Sequence, residues 1–211
     1  MSVPGMSSLL IVTAVDAERE ALLRGLPAAA RSRVVIVAGG VGSVAVAAAT
    51  AHELARQSFR CVVSAGIGGA FLDAAKIGDV LAADRIIAAD LGAEDGEGGF
   101  LSLDDLGFGT CVHAARRIEG DGFVRGDLLT VSTATGAAER AEVLRARYPA
   151  AVGEAMEGYG VAVAADRFGL PAAEIRAVSN PVGPRDRTAW RIGEALAALA
   201  EAAPLIVEGL S

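Results

Sequence analysis

The chain contains few residues of the types that form disulfides and metal sites. Its only cysteines are Cys61 and Cys111, and two thiols do not make the disulfide framework of a small secreted protein. His52 and His113 are the only histidines, and neither has metal-ligand spacing or a nearby cysteine pattern. The sequence therefore predicts reduced thiols and no metal site.

Lysine is also scarce, and the hydrophobic runs are short. Lys76 is the only lysine among 19 basic residues, and the net charge is −7, so binding to nucleic acid is not expected. The first charged residue is Asp16, so no basic n-region of a signal peptide precedes the apolar stretch 9–15, which is too short to cross a bilayer. We expect a cytoplasmic protein that does not contact membranes.

Aromatic residues make up only 4% of the chain, whereas hydrophobic residues make up 53%. The core must therefore be built from Ala, Val, Leu and Ile, and global disorder is excluded. A length of 211 residues fits one core, and no linker, repeat or low-complexity block divides the sequence. We predict a single domain over residues 1–211.

Short β-branched runs alternate with segments of helical periodicity along the chain. Strands are predicted over 9–14, 33–38, 60–64, 80–88, 127–132, 150–155 and 172–179. Helices are predicted from Asp16 and over 44–56, 137–147, 158–168 and 190–208, with a long loop at 90–109. Such alternation is typical of a three-layer α/β/α domain around a largely parallel sheet.

Glycines follow the second and third predicted strands. The segment 40–45 matches a loose dinucleotide fingerprint, but no acidic residue stands at the end of the next strand to hold a ribose, so neither NAD nor another cofactor is expected. Gly66, Ile67, Gly68 and Gly69 form the second glycine turn. These glycines serve either tight packing or the close approach of backbone amides to a bound nucleoside.

Three polar residues stand just after three different predicted strands. They are Glu18, Glu157 and Asn180. Each alone has a structural explanation, as a charge at a helix start or as a turn residue before Pro181. Together they lie where parallel strands end, which is the edge at which α/β proteins bind ligands.

The order of these motifs resembles the nucleoside phosphorylase/nucleosidase superfamily. The matching segments are 13–18, 39–42, 65–69, 155–158 and 176–180. Within that superfamily, the tail 179–187, Trp190 and the loop 99–109 are most similar to the futalosine hydrolases of the alternative menaquinone pathway. The resemblance implies a purine nucleoside phosphorylase-like fold with a mixed sheet, and hydrolysis of futalosine to hypoxanthine and dehypoxanthine futalosine.

The resemblance also implies catalytic roles for the polar residues. Glu18 would activate water, and Glu157 would hold the ribose hydroxyls, with Met156 against the sugar. Asn180 stands where adenine-specific relatives carry an aspartate, and its amide can donate to the O6 and N7 acceptors of a 6-oxopurine. Thr133 and Thr135 stand where those relatives carry a purine-stacking aromatic residue.

Futalosine carries an aryl carboxylate, for which Arg185 or Arg187 is a candidate cation, although pairing with Asp186 remains an alternative. Phe100, Phe108 and Trp190 are candidates for an apolar wall, and Trp190 as a core residue is the alternative.

Other activities remain open at this point. The chain could be a methylthioadenosine/adenosylhomocysteine nucleosidase, a 6-oxopurine nucleoside phosphorylase, or a nucleoside-binding protein without activity. Phosphorolysis is disfavoured because Arg60 lies at the start of the third strand and Glu18 would repel phosphate. Relatives commonly assemble as dimers or larger, so a homo-oligomer is expected.

Overall fold

The computed structural model of the chain describes residues 8–210, and it describes the side chain of every one of them except Arg187. The strands are β1 Ser8–Thr13, β2 Val34–Ala38, β3 Phe59–Ala70, β4 Val80–Ala88, β5 Gly92–Glu94, β6 Phe100–Ser102, β7 Val112–Ala114, β8 Val124–Thr130, β9 Ala151–Ala155 and β10 Ala172–Pro181. The helices are α1 Asp16–Gly25, α2 Ala28–Arg31, α3 Ser43–Arg56, α4 Leu103–Leu106, α5 Ala138–Arg147, α6 Gly158–Arg167 and α7 Ile192–Gly209, with a 3₁₀ turn at Arg187–Ala189.

Eight of these strands form one mixed sheet that closes on itself. Strand β10 pairs with both β3 and β4, so that β3, β10, β4, β8 and β9 form a ring, and β1 and β2 extend from β3. The pairs β1–β2, β1–β3, β3–β10, β4–β8 and β8–β9 are parallel, whereas β4 with β10, β3 with β9 and β4 with β7 are antiparallel. This mixed, largely parallel sheet confirms the predicted fold class.

Helices cover the sheet on both faces. On one face α1 and α7 pack together over β1, β3 and β10, and residues such as Leu22, Leu199 and Ile206 are fully buried there. On the other face α3 and α6 pack over the same strands through Val46 and Val161. Both cores are aliphatic, as the scarcity of aromatic residues predicts.

The third predicted strand is longer than the sequence indicates. It was expected to stop at the glycine turn, but β3 continues through this turn to Ala70. The glycines are needed there because other groups approach the strand closely. A Cβ at Gly66 would lie 2.5 Å from the Glu18 carboxylate, and one at Gly68 would lie 2.9 Å from the carbonyl oxygen of Glu154.

The prediction of a long loop over 90–109 is also wrong in part. It contains the antiparallel hairpin of β5 and β6, followed by the short helix α4. Helix α4 begins at a capping box, in which the Ser102 hydroxyl accepts from the Asp105 amide and the Asp105 carboxylate accepts from the Ser102 amide. Strand β7 was not predicted, because three residues are too few to show an alternating pattern.

No helix within residues 8–210 is long and apolar enough to cross a membrane.

Candidate active site

A cavity of about 320 Å³ opens where β1, β3, β9 and β10 come together. It brings together most of the residues that the sequence singled out. Those lining it are Glu18, Ile67, Gly68, Gly69, Met156, Glu157, Asn180, Arg185 and Trp190. Residues from distant segments of the chain therefore share one site.

Glu18 is held in place by backbone amides. It lies in the first turn of α1 and is only 3% exposed. One carboxylate oxygen accepts from the amide of Ile67 at 2.8 Å, and the other accepts from the amides of Ala14 and Val15 at 2.9 and 3.2 Å. Three donors fix the carboxylate without a direct ion pair, which leaves the second lone pair of Oε1 available for water.

Glu157 lies directly before α6 and joins two distant segments. Its Oε1 accepts from the amide of Gly42 at 3.1 Å. Its Oε2 accepts from the amide of Met156 at 3.2 Å and from Nη1 of Arg176 at 3.1 Å. Two backbone amides and one guanidinium thus fix the position of this carboxylate at the cavity wall.

Arg176 stands at the centre of the charged groups behind the cavity, and sequence reasoning gave it no role. Its guanidinium is 1% exposed and donates to Glu174 at 2.9 Å, to Glu157 at 3.1 Å and to the Ser64 hydroxyl at 2.7 Å. Burial opposes its charge, but attraction from Glu174, Glu157 and Glu18 outweighs burial and raises the pKa of Arg176. The sequence did contain a signal for this role: Glu174 and Arg176 are two charged residues, two positions apart, in an otherwise apolar part of β10.

Gly66 does not line the cavity but shapes it from behind. The position that a Cβ would take at Gly66 lies 2.5 Å from Oε1 of Glu18 and 2.9 Å from Nη1 of Arg176. Glu18 and Arg176 therefore both pack against the backbone of this glycine. Only a residue without a side chain allows them to do so.

The Asn180 amide has a defined orientation. Its Oδ1 lies 2.8 Å from the Ser179 hydroxyl, and its Nδ2 donates to the carbonyl of Pro181 at 2.9 Å. Because a carbonyl only accepts, the atom beside Pro181 must be the nitrogen. The second hydrogen of Nδ2 remains free to donate to a ligand in the cavity.

Arg185 and Trp190 lie together at the cavity wall. The guanidinium carbon of Arg185 is 5.5 Å from the centre of the Trp190 ring, within cation–π range. The amide of Arg185 donates to the carbonyl of Gly136 at 3.1 Å, which ties this segment to the loop after β8. A cation and an aromatic face are therefore available side by side.

Two predicted aromatic residues are not brought to this cavity. Phe100 lies in a different cavity, where the Arg147 guanidinium stacks on its ring at 4.2 Å. Phe108 is 81% exposed, next to the αL cap of α4 at Gly107. Placing either ring at the site would need α4 and the β5–β6 hairpin to move. The side chain of Arg187 lies outside the described part of the structure.

Glu154 is a further acidic residue in the cavity that the sequence did not single out. It is 6% exposed and lies in β9 opposite Gly69. Burial raises its pKa, while hydrogen bonds from Thr135 act in the opposite direction. In residues 8–210, no group of three or more His, Cys, Asp and Glu side chains is arranged to hold a metal ion.

Comparison with known proteins finds relatives that agree with one another in family and fold. The model of the phosphorylase superfamily matches residues 25–210. The futalosine hydrolase of Streptomyces coelicolor is 49% identical, with 92% of each chain covered, and that of Acidothermus cellulolyticus is 45% identical, with 92% of this chain and 87% of the relative covered. The fold is similar to that of a 5'-methylthioadenosine/S-adenosylhomocysteine nucleosidase from S. pneumoniae, with a TM-score of 0.81 at 18% identity, covering 97% of this chain and 100% of that one.

Proposed function

Because the chain belongs to the futalosine hydrolase family of the phosphorylase superfamily, as its motifs predict, we propose that it hydrolyses the N-glycosidic bond of futalosine. The products are hypoxanthine and dehypoxanthine futalosine, and the reaction belongs to menaquinone biosynthesis. The observation that carries the mechanism is the convergence of Glu18, Glu157 and Asn180 on one cavity.

The two carboxylates divide the work at the sugar. Glu18 accepts a proton from water through its free lone pair as the water oxygen attacks the anomeric carbon of the ribose. The bond from that carbon to N9 of the purine breaks with its electron pair, so positive charge develops on the ribose in the transition state. Glu157 holds the ribose hydroxyls and, with Glu18, stabilises that charge.

Asn180 acts on the leaving purine. Its free Nδ2 hydrogen donates to O6 or N7 of hypoxanthine, where negative charge accumulates as the bond to the sugar breaks. Ser179 keeps the amide oxygen turned away from those acceptors. An amide cannot supply a proton, so the purine receives its proton from water.

The aryl carboxylate of futalosine is assigned to Arg185, with the aryl ring against Trp190. Both residues line the same cavity as the catalytic groups, and Arg185 is the cavity-lining cation among the side chains that the structure describes. An exposed guanidinium can bind a carboxylate through two parallel hydrogen bonds.

Water rather than phosphate is the nucleophile in this proposal. Arg60, which lies near the start of β3 and does not line the cavity, donates to the carbonyl of Leu210. Arg176 is 1% exposed, is enclosed by Glu157, Glu174 and Ser64, and does not line the cavity in which a phosphate would bind. A phosphate beside Glu18 would meet a carboxylate that forms no direct ion pair within residues 8–210.

We also propose that the protein is a homo-oligomer, a dimer or larger. The support is apolar surface near the site: Val44 is 87% exposed, Val41 59% and Leu91 40%. Surface of this kind marks association sites. Light scattering of the purified protein measures the assembly directly.

The function is tested by incubating the protein with futalosine, inosine and methylthioadenosine, with and without phosphate, and identifying the free base. We expect hypoxanthine from futalosine without a need for phosphate. Glu18→Gln and Glu157→Gln should each lose about 100-fold or more in kcat. Glu20→Gln, an exposed position on the same helix, is the matched control and should keep the wild-type rate. Adenine release from methylthioadenosine alone, or a requirement for phosphate, would contradict the proposal.

A further inference from the structure

The mechanism above leaves one buried carboxylate of the cavity unused. Glu154 takes part in none of the salt bridges among residues 8–210. Its two oxygens accept from the Thr135 amide at 2.7 Å and from the Thr135 hydroxyl at 2.6 Å. Both atoms thus act as acceptors, and each keeps a second lone pair.

The strand register places Glu154 across the cavity from Asn180. Gly69 of β3 pairs with Glu154 on one side and with Asn180 on the other. Directly opposed residues of an antiparallel pair point to the same face, and a Cβ at Gly69 would lie 3.2 Å from Nδ2 of Asn180. Two strand spacings, about 10 Å, therefore separate the two backbones, and Gly69 between them has no side chain, although a Val182 methyl group lies 2.9 Å from its Cβ position.

The face that Glu154 takes is fixed by its neighbour in β9. A Cβ at Gly153 would lie 2.5 Å from the Leu81 side chain in the core, so Gly153 faces the core and Glu154 faces the cavity. A buried carboxylate that forms no ion pair needs further donors, because burial disfavours its charge. The two hydrogen bonds from Thr135 use only part of the acceptor capacity of Glu154, and a ligand in the cavity can donate a further hydrogen bond to it.

We propose that Glu154 is a specificity residue that accepts a hydrogen bond from N1–H of the 6-oxopurine, opposite the Asn180 amide on the O6 and N7 edge. This inference rests on the proposed function, since it concerns the base that the same site releases. Asn180 offers a donor and Glu154 an acceptor, and this pair matches the acceptor O6 and the donor N1–H of hypoxanthine. Thr135 positions Glu154 for that contact.

The same pair is mismatched to a 6-aminopurine. Adenine has an acceptor at N1 and a donor at its exocyclic nitrogen, so it would place a lone pair against the Glu154 carboxylate and a donor against the Asn180 donor. A site whose buried polar groups are left unpaired rejects the wrong ligand strongly. Both residues therefore select against the adenine-type nucleosides.

The test compares futalosine with its 6-amino analogue, which differs only on the edge read by these residues. In Glu154→Gln we expect kcat/KM for futalosine to fall about 10- to 100-fold, the effect of losing a charged hydrogen bond. The 6-amino analogue should lose little, or improve, because a glutamine can turn its NH₂ toward N1. Glu139→Gln, an exposed acid in the first turn of α5, is the control and should change neither rate.

Calorimetric binding of free hypoxanthine and free adenine provides a second readout that does not depend on turnover. Glu154→Gln should reduce the preference for hypoxanthine, and Thr135→Val, which removes the hydroxyl that holds Glu154, should reduce it less. An unchanged preference in a folded Glu154→Gln protein, or an equal loss on both substrates, would overturn the inference. Failure of the wild type to release hypoxanthine would refute the proposed function, while Glu154-dependent binding of hypoxanthine would still support base reading.

Discussion

Removal of the Arg176 guanidinium tests whether the charges behind the site are balanced as the structure indicates. In Arg176→Met the side chain keeps a similar length, but Glu174 and Glu157 lose their buried cation and Ser64 loses its donor. Removing one partner of a buried ion pair costs about 3–5 kcal/mol, because the other charge is left uncompensated. Since domains of this kind have a total stability of about 5–15 kcal/mol, the variant should fold marginally.

The penalty should depend on pH in a defined direction. Burial raises the pKa of Glu174 above its usual 4.5, and Arg176 partly counteracts this. Without Arg176 the folded-state pKa rises further while the unfolded value stays the same. A carboxyl whose pKa is higher in the folded than in the unfolded protein does not change the free energy of unfolding at a pH below its unfolded pKa. Above that pH it lowers the free energy of unfolding, and the loss is complete once the pH has passed its folded pKa. The loss in Arg176→Met should therefore be small near about pH 5 and largest near about pH 8.

Urea unfolding at those two pH values measures the effect, with two comparisons. The double variant Arg176→Met/Glu174→Met replaces the pair by apolar side chains and should recover about 2 kcal/mol or more. Arg117→Met removes an exposed partner of Glu119, whose side chains are 60% and 74% exposed, and should cost less than about 1 kcal/mol. A loss in Arg176→Met below about 1 kcal/mol, or one equal at both pH values, would refute the reasoning.

Two further predictions follow from the geometry. A Cβ at Gly158, the first residue of α6, would clash with Oε2 of the buried Glu174, so Gly158→Ala should lower the free energy of unfolding by about 1–3 kcal/mol. The control is Gly193→Ala, near the start of α7, where a Cβ would have no neighbour within 4 Å and the free energy of unfolding should stay the same or rise. Thermal denaturation compares the two variants. Arg185→Gln should raise KM for futalosine about 10-fold but leave KM for inosine, which lacks the aryl carboxylate, unchanged. Steady-state kinetics measures both values, and an equal change in both would contradict the assignment.

The convergence of the site was foreseeable from the sequence because its residues follow strands. Glu18 and Glu157 come directly after β1 and β9, and the ends of neighbouring strands meet at one edge of the sheet. That geometry brings residues far apart in sequence into one cavity without any knowledge of the packing. The same reasoning found Asn180, although β10 continues through it rather than ending before it.

The charged residues inside strands were not foreseeable in the same way. Glu174 and Arg176 lie within β10, and their partners Ser64 and Glu157 come from β3 and from the start of α6. A sequence shows that two charges alternate in a strand, but not which strands flank it. Glu154 was missed for a related reason, because its acceptor role depends on a register that only the fold defines.

The charge balance of the site gives a physical reason for hydrolysis over phosphorolysis. Glu18 and Glu157 line the proposed sugar site, and behind them Glu174 and Arg176 form a pair of opposite charge, so these four groups carry an excess of two negative charges when ionised. Such a field stabilises the positive ribose of the transition state more than the neutral substrate, as catalysis requires. It also repels a phosphate dianion. A neutral amide at position 180 fits the same balance, because a carboxylate facing the O6 and N7 acceptors would repel them as negative charge builds on the purine.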